Sequence, residues 1–261
     1  MIMLEHIMEI VRKAGLLMEN SYTNVEEKDS SSNCVTDMDI KVQEFLTEKL
    51  LAFLPDSVVV AEENDQYTYS SGYTWVIDPI DGTSNFIRNL GLSVISVGLL
   101  LNNEPYLGVI YFPYRNEMYY AEKGKGAFMN GTPIHVSDRD YAHSHLCSAM
   151  SLYDKRYAKT CFNIIEKVYM ESDDLRRLGS AALELAYLAA GKVELYFEIR
   201  IFAWDVAAAA VIIKEAGGYI EFLFHDKLPI PGPLGVIAAN SKENFEKLRE
   251  VVYSELPSQP Y

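Results

Sequence analysis

The chain is poor in cysteine and in positive charge and has no long apolar run, and each shortage removes a class of protein. Cys34, Cys147 and Cys161 are odd in number and show no CxxC spacing. That argues against a disulfide framework or a zinc site and for a reducing compartment, with the cytoplasm expected. Lysine and arginine total 23 against 37 aspartate and glutamate, a formal charge of −14 over 261 residues. Nucleic acid and anionic membrane surfaces both ask for a basic face, so neither partner is expected. The longest apolar run, Leu90 to Leu101, is 12 residues and contains Gly91, Ser93, Ser96 and Gly98. It falls short of the roughly 18 residues of a membrane span and reads as a buried strand. Glu5, Glu9, Arg12 and Lys13 interrupt any signal-peptide apolar region. There is no internal repeat and no low-complexity linker.

What is present is a composition for burial, 49% hydrophobic and 23% charged, which excludes disorder. The length suits one large domain or two lobes sharing an interface. Apolar positions Leu4, Ile7, Met8, Val11, Ala14 and Met18 form a helical stripe over 3–18. Residues 21–36 are polar and read as a loop. A second amphipathic helix follows, ended by Pro55-Asp56. Short buried strands are expected at 58–60 and 74–77. From Leu90 to Val136, turn signals at Asn102-Asn103, Arg115-Asn116, Gly124-Lys125-Gly126 and Asn130-Gly131 predict an antiparallel meander. Beyond 145, helices are expected at 154–170, 180–190, 205–216 and 241–253, and strands at 145–150, 193–198, 218–223 and 235–239. The class is α/β, with helix and sheet layers alternating in an αβαβα sandwich around a large antiparallel sheet.

Chemistry is concentrated in carboxylates. Asp78-Pro79-Ile80-Asp81-Gly82-Thr83 follows the buried strand Trp75-Val76-Ile77. Two acids three residues apart at a strand end can point into one cavity, with Pro79 stiffening the step between them. Gly82 allows a tight turn whose free N–H groups can cradle an anion. Alone, the segment also fits an ordinary Asp-Gly turn. Glu62-Glu63 ends the other short strand, and alone it fits a solvated loop. If the strands are neighbours, the acids meet. One carboxylate pair at 4 Å repels by roughly 4 kcal/mol at an effective dielectric of 20, which a hard divalent cation relieves. Oxygen ligands without His or Cys point to Mg²⁺ or Mn²⁺. Asp205 opens an Ala-rich helix, where an ordinary N-terminal cap is the simpler account.

These residues resemble the inositol monophosphatase family of Mg²⁺-dependent, lithium-sensitive phosphatases. The resemblance rests on Ala61-Glu62-Glu63, Trp75 through Phe86, Gly124-Lys125-Gly126-Ala127-Phe128, and Trp204-Asp205 followed by Glu215-Ala216-Gly217-Gly218, in family order and spacing. It covers nearly the whole chain and is weakest around 140–175. It implies one catalytic unit with a metal-binding, antiparallel-sheet lobe at 1–140 and a smaller α/β lobe at 141–261 completing the site. Two or more Mg²⁺ ions, which Mn²⁺ can replace, are implied to sit on Glu62, Asp78, the Ile80 carbonyl, Asp81 and Asp205, with Asp78 bridging. Glu62 and Thr83 are implied to activate water, Asp39 to bond to Thr83, and Lys28 to lie beside the site. Gly82, Thr83 and Ser84 are implied to face the phosphate, and Asp81, Ala181 and Glu198 to lie near substrate.

The expected reaction is hydrolysis of a small phosphorylated polyol or sugar, led by myo-inositol 1-phosphate. Fructose 1,6-bisphosphate, histidinol phosphate and 3′-phosphoadenosine 5′-phosphate are alternatives within the superfamily. A non-catalytic, metal-binding regulatory module is the alternative outside it. A homodimer is implied by the resemblance. Arg88 and the stretch Ile199-Arg200-Ile201-Phe202 depart from the commoner family pattern, and the resemblance implies that the latter, through Arg200 and Phe202, bears on the leaving group. His135, His143 and His145 read as a surface loop, and Cys34 as a buried or inert thiol. Gly124-Lys125-Gly126 lacks the helix and Lys-Ser/Thr ending of a phosphate loop.

Overall fold

The computed structural model describes residues 2–19, 22–30, 33–64, 72–150, 154–230 and 232–256. In chain order the elements are α1 (Ile2–Leu17), β1 (Val25–Ser30), β2 (Asn33–Thr36), α2 (Asp37–Phe53), β3 (Val58–Ala61), β4 (Tyr73–Asp81) and α3 (Thr83–Ile87). Then come β5 (Val94–Leu101), β6 (Glu104–Phe112), β7 (Glu117–Glu122), β8 (Ala127–Met129), β9 (Thr132–Ile134) and β10 (His145–Ser148). The chain continues through α4 (Ala158–Tyr169), β11 (Asp174–Arg176), α5 (Ala181–Ala189), β12 (Leu195–Ile201), α6 (Ala203–Glu215), β13 (Tyr219–Leu223), β14 (Leu234–Ala239) and α7 (Lys242–Glu255).

Five layers alternate, as the α/β reading expects. One seven-stranded sheet runs β3-β4-β5-β6-β7-β8-β9, and a five-stranded sheet runs β11-β10-β12-β14-β13. Helices α1 and α2 cover the outer face of the first sheet through Ile7, Val11, Val42, Leu46 and Leu50. Helices α5 and α6 fill the space between the sheets, and α4 and α7 cover the far face of the second through Ile164, Leu248 and Val252. The first sheet is antiparallel except for the parallel pair β3–β4.

Three local readings are corrected. Residues 25–30 and 33–36 are strands and not loop, while residues 21, 31 and 32 of that expected loop lie outside the described residues: β1 and β2 pair antiparallel, and this polar ribbon has no apolar face to betray it. The second short strand continues through Asp81 instead of stopping at Ile77. Its pairing with β5 slips between Asp78 and Asp81, where Pro79 has no N–H to give the ladder. His145 begins strand β10 and is half-buried, whereas His135 and His143 are exposed.

Close packing decides where α6 lies. Gly98 and Gly108 are cross-strand partners on β5 and β6. A Cβ on Gly98 would come 2.8 Å from the Ala207 Cβ, and one on Gly108 would collide with the Ala208 backbone. The Ala207–Ala210 run and the two glycines therefore let helix and sheet backbones touch. The Ser96 hydroxyl adds a hydrogen bond to the Trp204 carbonyl at 3.2 Å. This seats the first turn of α6, with Asp205, over the end of β4.

Candidate active site

The parallel register of β3 and β4 sets Ala61 opposite Ile77. The Glu62 N–H continues the ladder to the Ile77 carbonyl at 3.2 Å, so the two acidic strand ends lie side by side. Asp78 is 1%, Asp205 5% and Asp81 6% exposed. One carboxylate oxygen from each lies within 4.8 Å of the others.

Each carboxylate is aimed by its neighbours. Asp78 accepts from the Ile80 N–H at 3.0 Å. Asp81 accepts from the Ser180 hydroxyl and the Ala182 N–H, both at 2.7 Å. Asp205 accepts from the Phe202 N–H at 2.9 Å. Burial first, then the charges of Glu62, Asp81, Asp205 and Asp39, push Asp78 well above the usual carboxylate range. Burial and then Asp81 do the same to Asp205. Burial lifts Asp81 to about 6 against the pull of Ser180 and Ala182. Hard oxygen donors gathered with mutual repulsion fit a hard divalent cation.

Thr83 begins α3 after Gly82, whose φ of +89° lies in the left-handed region. Its hydroxyl is 3.1 Å from both Asp39 Oδ1 and the Ile80 carbonyl and can donate to one of them at a time. Asp39, fully buried in the first turn of α2, also accepts from the Thr36 N–H at 2.8 Å. Burial raises it to about 6, against the hydrogen bonds from Thr36. On β1, the Lys28 ammonium reaches Glu62 at 3.1 Å and Glu63 at 2.5 Å. Burial works against its charge, but Glu62 and Glu63 outweigh this and hold its pKa up. Burial and Glu62 lift Glu63 to about 7 despite Lys28. On β12, Glu198 accepts from the Tyr196 hydroxyl at 2.9 Å and is lifted by burial to about 8.

One cleft, of about 710 Å³ including its solvent-open part, is lined by ten of the twelve residues expected from sequence. These are Glu62, Asp78, Ile80, Asp81, Gly82, Thr83, Ser84, Ala181, Glu198 and Asp205. Asp39 and Lys28 stand behind the wall, bonded to Thr83 and Glu62. Cys34, expected to be a buried or inert thiol, also lines the cleft and is half-buried. Arg200 is absent from the lining and donates to Asp154 at 3.3 Å, while Phe202 stacks on Trp204. Among the described residues, the one group of three or more candidate ligands holds no histidine.

Sequence reasoning missed Arg177 and Glu184 in the lining and the role of Ser180 on Asp81. Glu184 is 1% exposed and accepts the Leu178 and Gly179 N–H groups at 2.5 and 3.3 Å. Its only sequence signal is an acid in the first turn of an otherwise apolar helix.

A family model for the inositol monophosphatase family matches residues 2–256. Nus factor SuhB of Escherichia coli K12 is 36% identical over 225 residues, covering 84% of each chain. The fructose-1,6-bisphosphatase/inositol-1-monophosphatase of Thermotoga maritima is 37% identical over 221 residues, covering 83% of each. Among solved structures, a Thermotoga maritima IMPase superposes with a TM-score of 0.86 at 33% identity, covering 98% of both chains.

Proposed function

The chain belongs to the inositol monophosphatase family, and on that premise we propose that its cleft hydrolyses a small phosphate monoester. The first substrate is myo-inositol 1-phosphate, with water as nucleophile and Mg²⁺, replaceable by Mn²⁺, as the cation. The observation that carries this reading is the convergence of Glu62, Asp78, Asp81 and Asp205 with Thr83 and Glu198 in one cleft.

The cations would be held by Glu62, Asp78, the Ile80 carbonyl, Asp81 and Asp205. When bound, they supply positive charge that neutralises the phosphate, activates water and stabilises the departing alkoxide. Thr83, when it donates its proton to Asp39, turns an oxygen lone pair toward the cleft and orients the attacking water. Glu62 accepts a proton from that water, and Lys28 keeps Glu62 in place. The N–H groups from Gly82 to Ser84 receive phosphate oxygens. Glu198 and the backbone at Ala181 receive the hydroxyls of the leaving alcohol. The residues at 1–140 and 141–261 act as two lobes of one unit, since the cleft draws on both.

We place the enzyme in the cytoplasm as a homodimer with no nucleic-acid partner; the odd number of cysteines without CxxC spacing and the charge of −14 support the first and last. A second reading takes its support from the relative named Nus factor SuhB. In that reading the chain acts as such a factor, through a role that survives Asp78→Asn.

Phosphate release from a panel of phosphate monoesters tests the proposal. Turnover led by inositol 1-phosphate in Mg²⁺, lost in EDTA, inhibited by lithium and abolished in Asp78→Asn, is the expected result. A folded wild type that is silent on every substrate in Mg²⁺ and Mn²⁺ overturns it.

A further inference from the structure

The acids are brought together by strands and helices, but of the two groups that aim Asp81, Ser180 ends a turn, residues 178–180, and Ala182 lies in the first turn of α5, which that turn leads into. Turns are the softest part of a fold, so this one needs its own support. It is gripped from both sides. From α3, the Asn85 amide nitrogen reaches the carbonyls of Leu178 at 2.8 Å, Leu92 at 2.9 Å and Gly179 at 3.2 Å. From α5, the buried Glu184 carboxylate accepts the N–H groups of the same Leu178 and Gly179.

The fit leaves no slack. Gly179 has φ +77°, and a Cβ there would sit 3.2 Å from the Asn85 amide. A Cβ on Gly82 would lie 3.1 Å from both the Gly179 and Leu92 carbonyl oxygens. The Gly82 carbonyl is in turn held by the Ser93 hydroxyl at 2.8 Å. Two glycine turns thus touch backbone to backbone, with Asn85 between them. One follows Asp81 at the end of β4, and the other runs through Ser180 into α5 and its Ala182 N–H.

We infer that Asn85 and Glu184 are positioning residues that clamp the 178–180 turn and so fix the direction of the Asp81 carboxylate toward the cation. This rests on the proposed metal-binding reading of the cleft and adds two residues outside the ligand set. The hydrogen bonds to Asp81 come from Ser180 and Ala182, and the Asn85 and Glu184 side chains act through these. With the clamp released, Asp81 keeps its charge and burial but loses its aim. Partners that orient a ligand in this way are worth about 10–100-fold in metal affinity.

The test is Mn²⁺ binding to the metal-free chain by titration calorimetry, with hydrogen exchange of the Ala182 amide measured alongside. Asn85→Ala and Glu184→Ala are expected to weaken Mn²⁺ about 10–100-fold and to speed Ala182 exchange. Glu184→Gln keeps an oxygen acceptor and is expected to restore both to near the wild-type value. Asn85→Ala carries the test if Glu184→Ala does not fold. Wild-type Mn²⁺ affinity and Ala182 protection in folded Asn85→Ala would overturn the clamp. Asp81→Asn separates the two layers of argument. If it abolishes binding while the clamp variants bind normally, the clamp alone fails. If wild type binds no Mn²⁺, the metal reading fails and the clamp falls with it.

Discussion

Two buried acidic sites of this chain differ in what surrounds them. Glu194, 1% exposed, accepts from the Ser137 hydroxyl, the Arg139 guanidinium and the His145 N–H, each at 2.8 Å. It ties the segment after β9 to the start of β10 and has its charge matched on the spot. Asp78, Asp81 and Asp205 are as deeply buried, yet the charges that push Asp78 up are all those of other acids. A carboxylate provided with donors and a cation holds the fold together. A group of carboxylates facing one another strains the fold and finds its use in what it binds.

Exchanging the charge at each site should sharpen that contrast, and the largest effect falls on the strained one. Asp78→Asn keeps the shape and the acceptor for the Ile80 N–H. It should lower phosphate release about a thousandfold or more, roughly 4 kcal/mol of barrier. The same change should stabilise the metal-free chain, because it removes a buried charge that burial and the facing acids disfavour. Glu194→Ala should do the reverse, destabilising by about 1–2 kcal/mol through loss of its hydrogen bonds from the part-buried Ser137, Arg139 and His145 donors while activity per folded molecule survives. Thermal melts in EDTA beside single-substrate assays check both. If Asp78→Asn lowers the melting temperature as Glu194→Ala does, the two sites are alike and the comparison breaks.

Next in size is the response to pH. Burial lifts Asp81 to about 6, Glu184 to about 7 and Glu198 to about 8. Their unfolded values lie near 4, so the native chain binds more protons between about pH 4 and about pH 8. Stability therefore falls as pH rises through that window. The melting temperature in EDTA should drop by several degrees from about pH 5 to about pH 8, and Mn²⁺ should recover it at the upper end. A melting temperature that climbs over this range would remove the strain from the account.

The smallest effect belongs to the histidines. His143 is exposed and pairs with Asp140 at 2.7 Å, far in character from either buried site. His143→Ala should change stability by less than about 0.5 kcal/mol and leave Mn²⁺ affinity unchanged. A weakened Mn²⁺ titration would return the histidines to the list of ligands.

Much of the cleft was legible because its acids sit in contiguous motifs. Asp78, Asp81 and Thr83 share one contiguous motif, and Glu62 follows a recognisable apolar strand. The layer order was legible too, since the helical stripes and the alternating strands after 145 carry their periods openly. Ser180, Glu184, Asn85 and Arg177 were not read as site residues. Asn85 and Leu178 are 93 positions apart, and nothing in either neighbourhood announces the contact. The β1–β2 ribbon escaped because its strands are polar on both faces, so no alternation marks them.

The local order along the chain decided which segments become helix, strand or turn, because periodicity and turn residues act over a few neighbours. It also decided that acids of the hard-ligand type end two strands and open a helix. Only the tertiary structure decided that these acids meet. The parallel register of β3 on β4 sets Glu62 beside Asp78, and the contact of Ala207 and Ala208 on Gly98 and Gly108 lowers Asp205 onto them. The grip of Asn85 and Glu184 on one distant turn belongs to the same class. Such contacts depend on close packing of backbones remote in sequence, and close packing is a property of the folded whole.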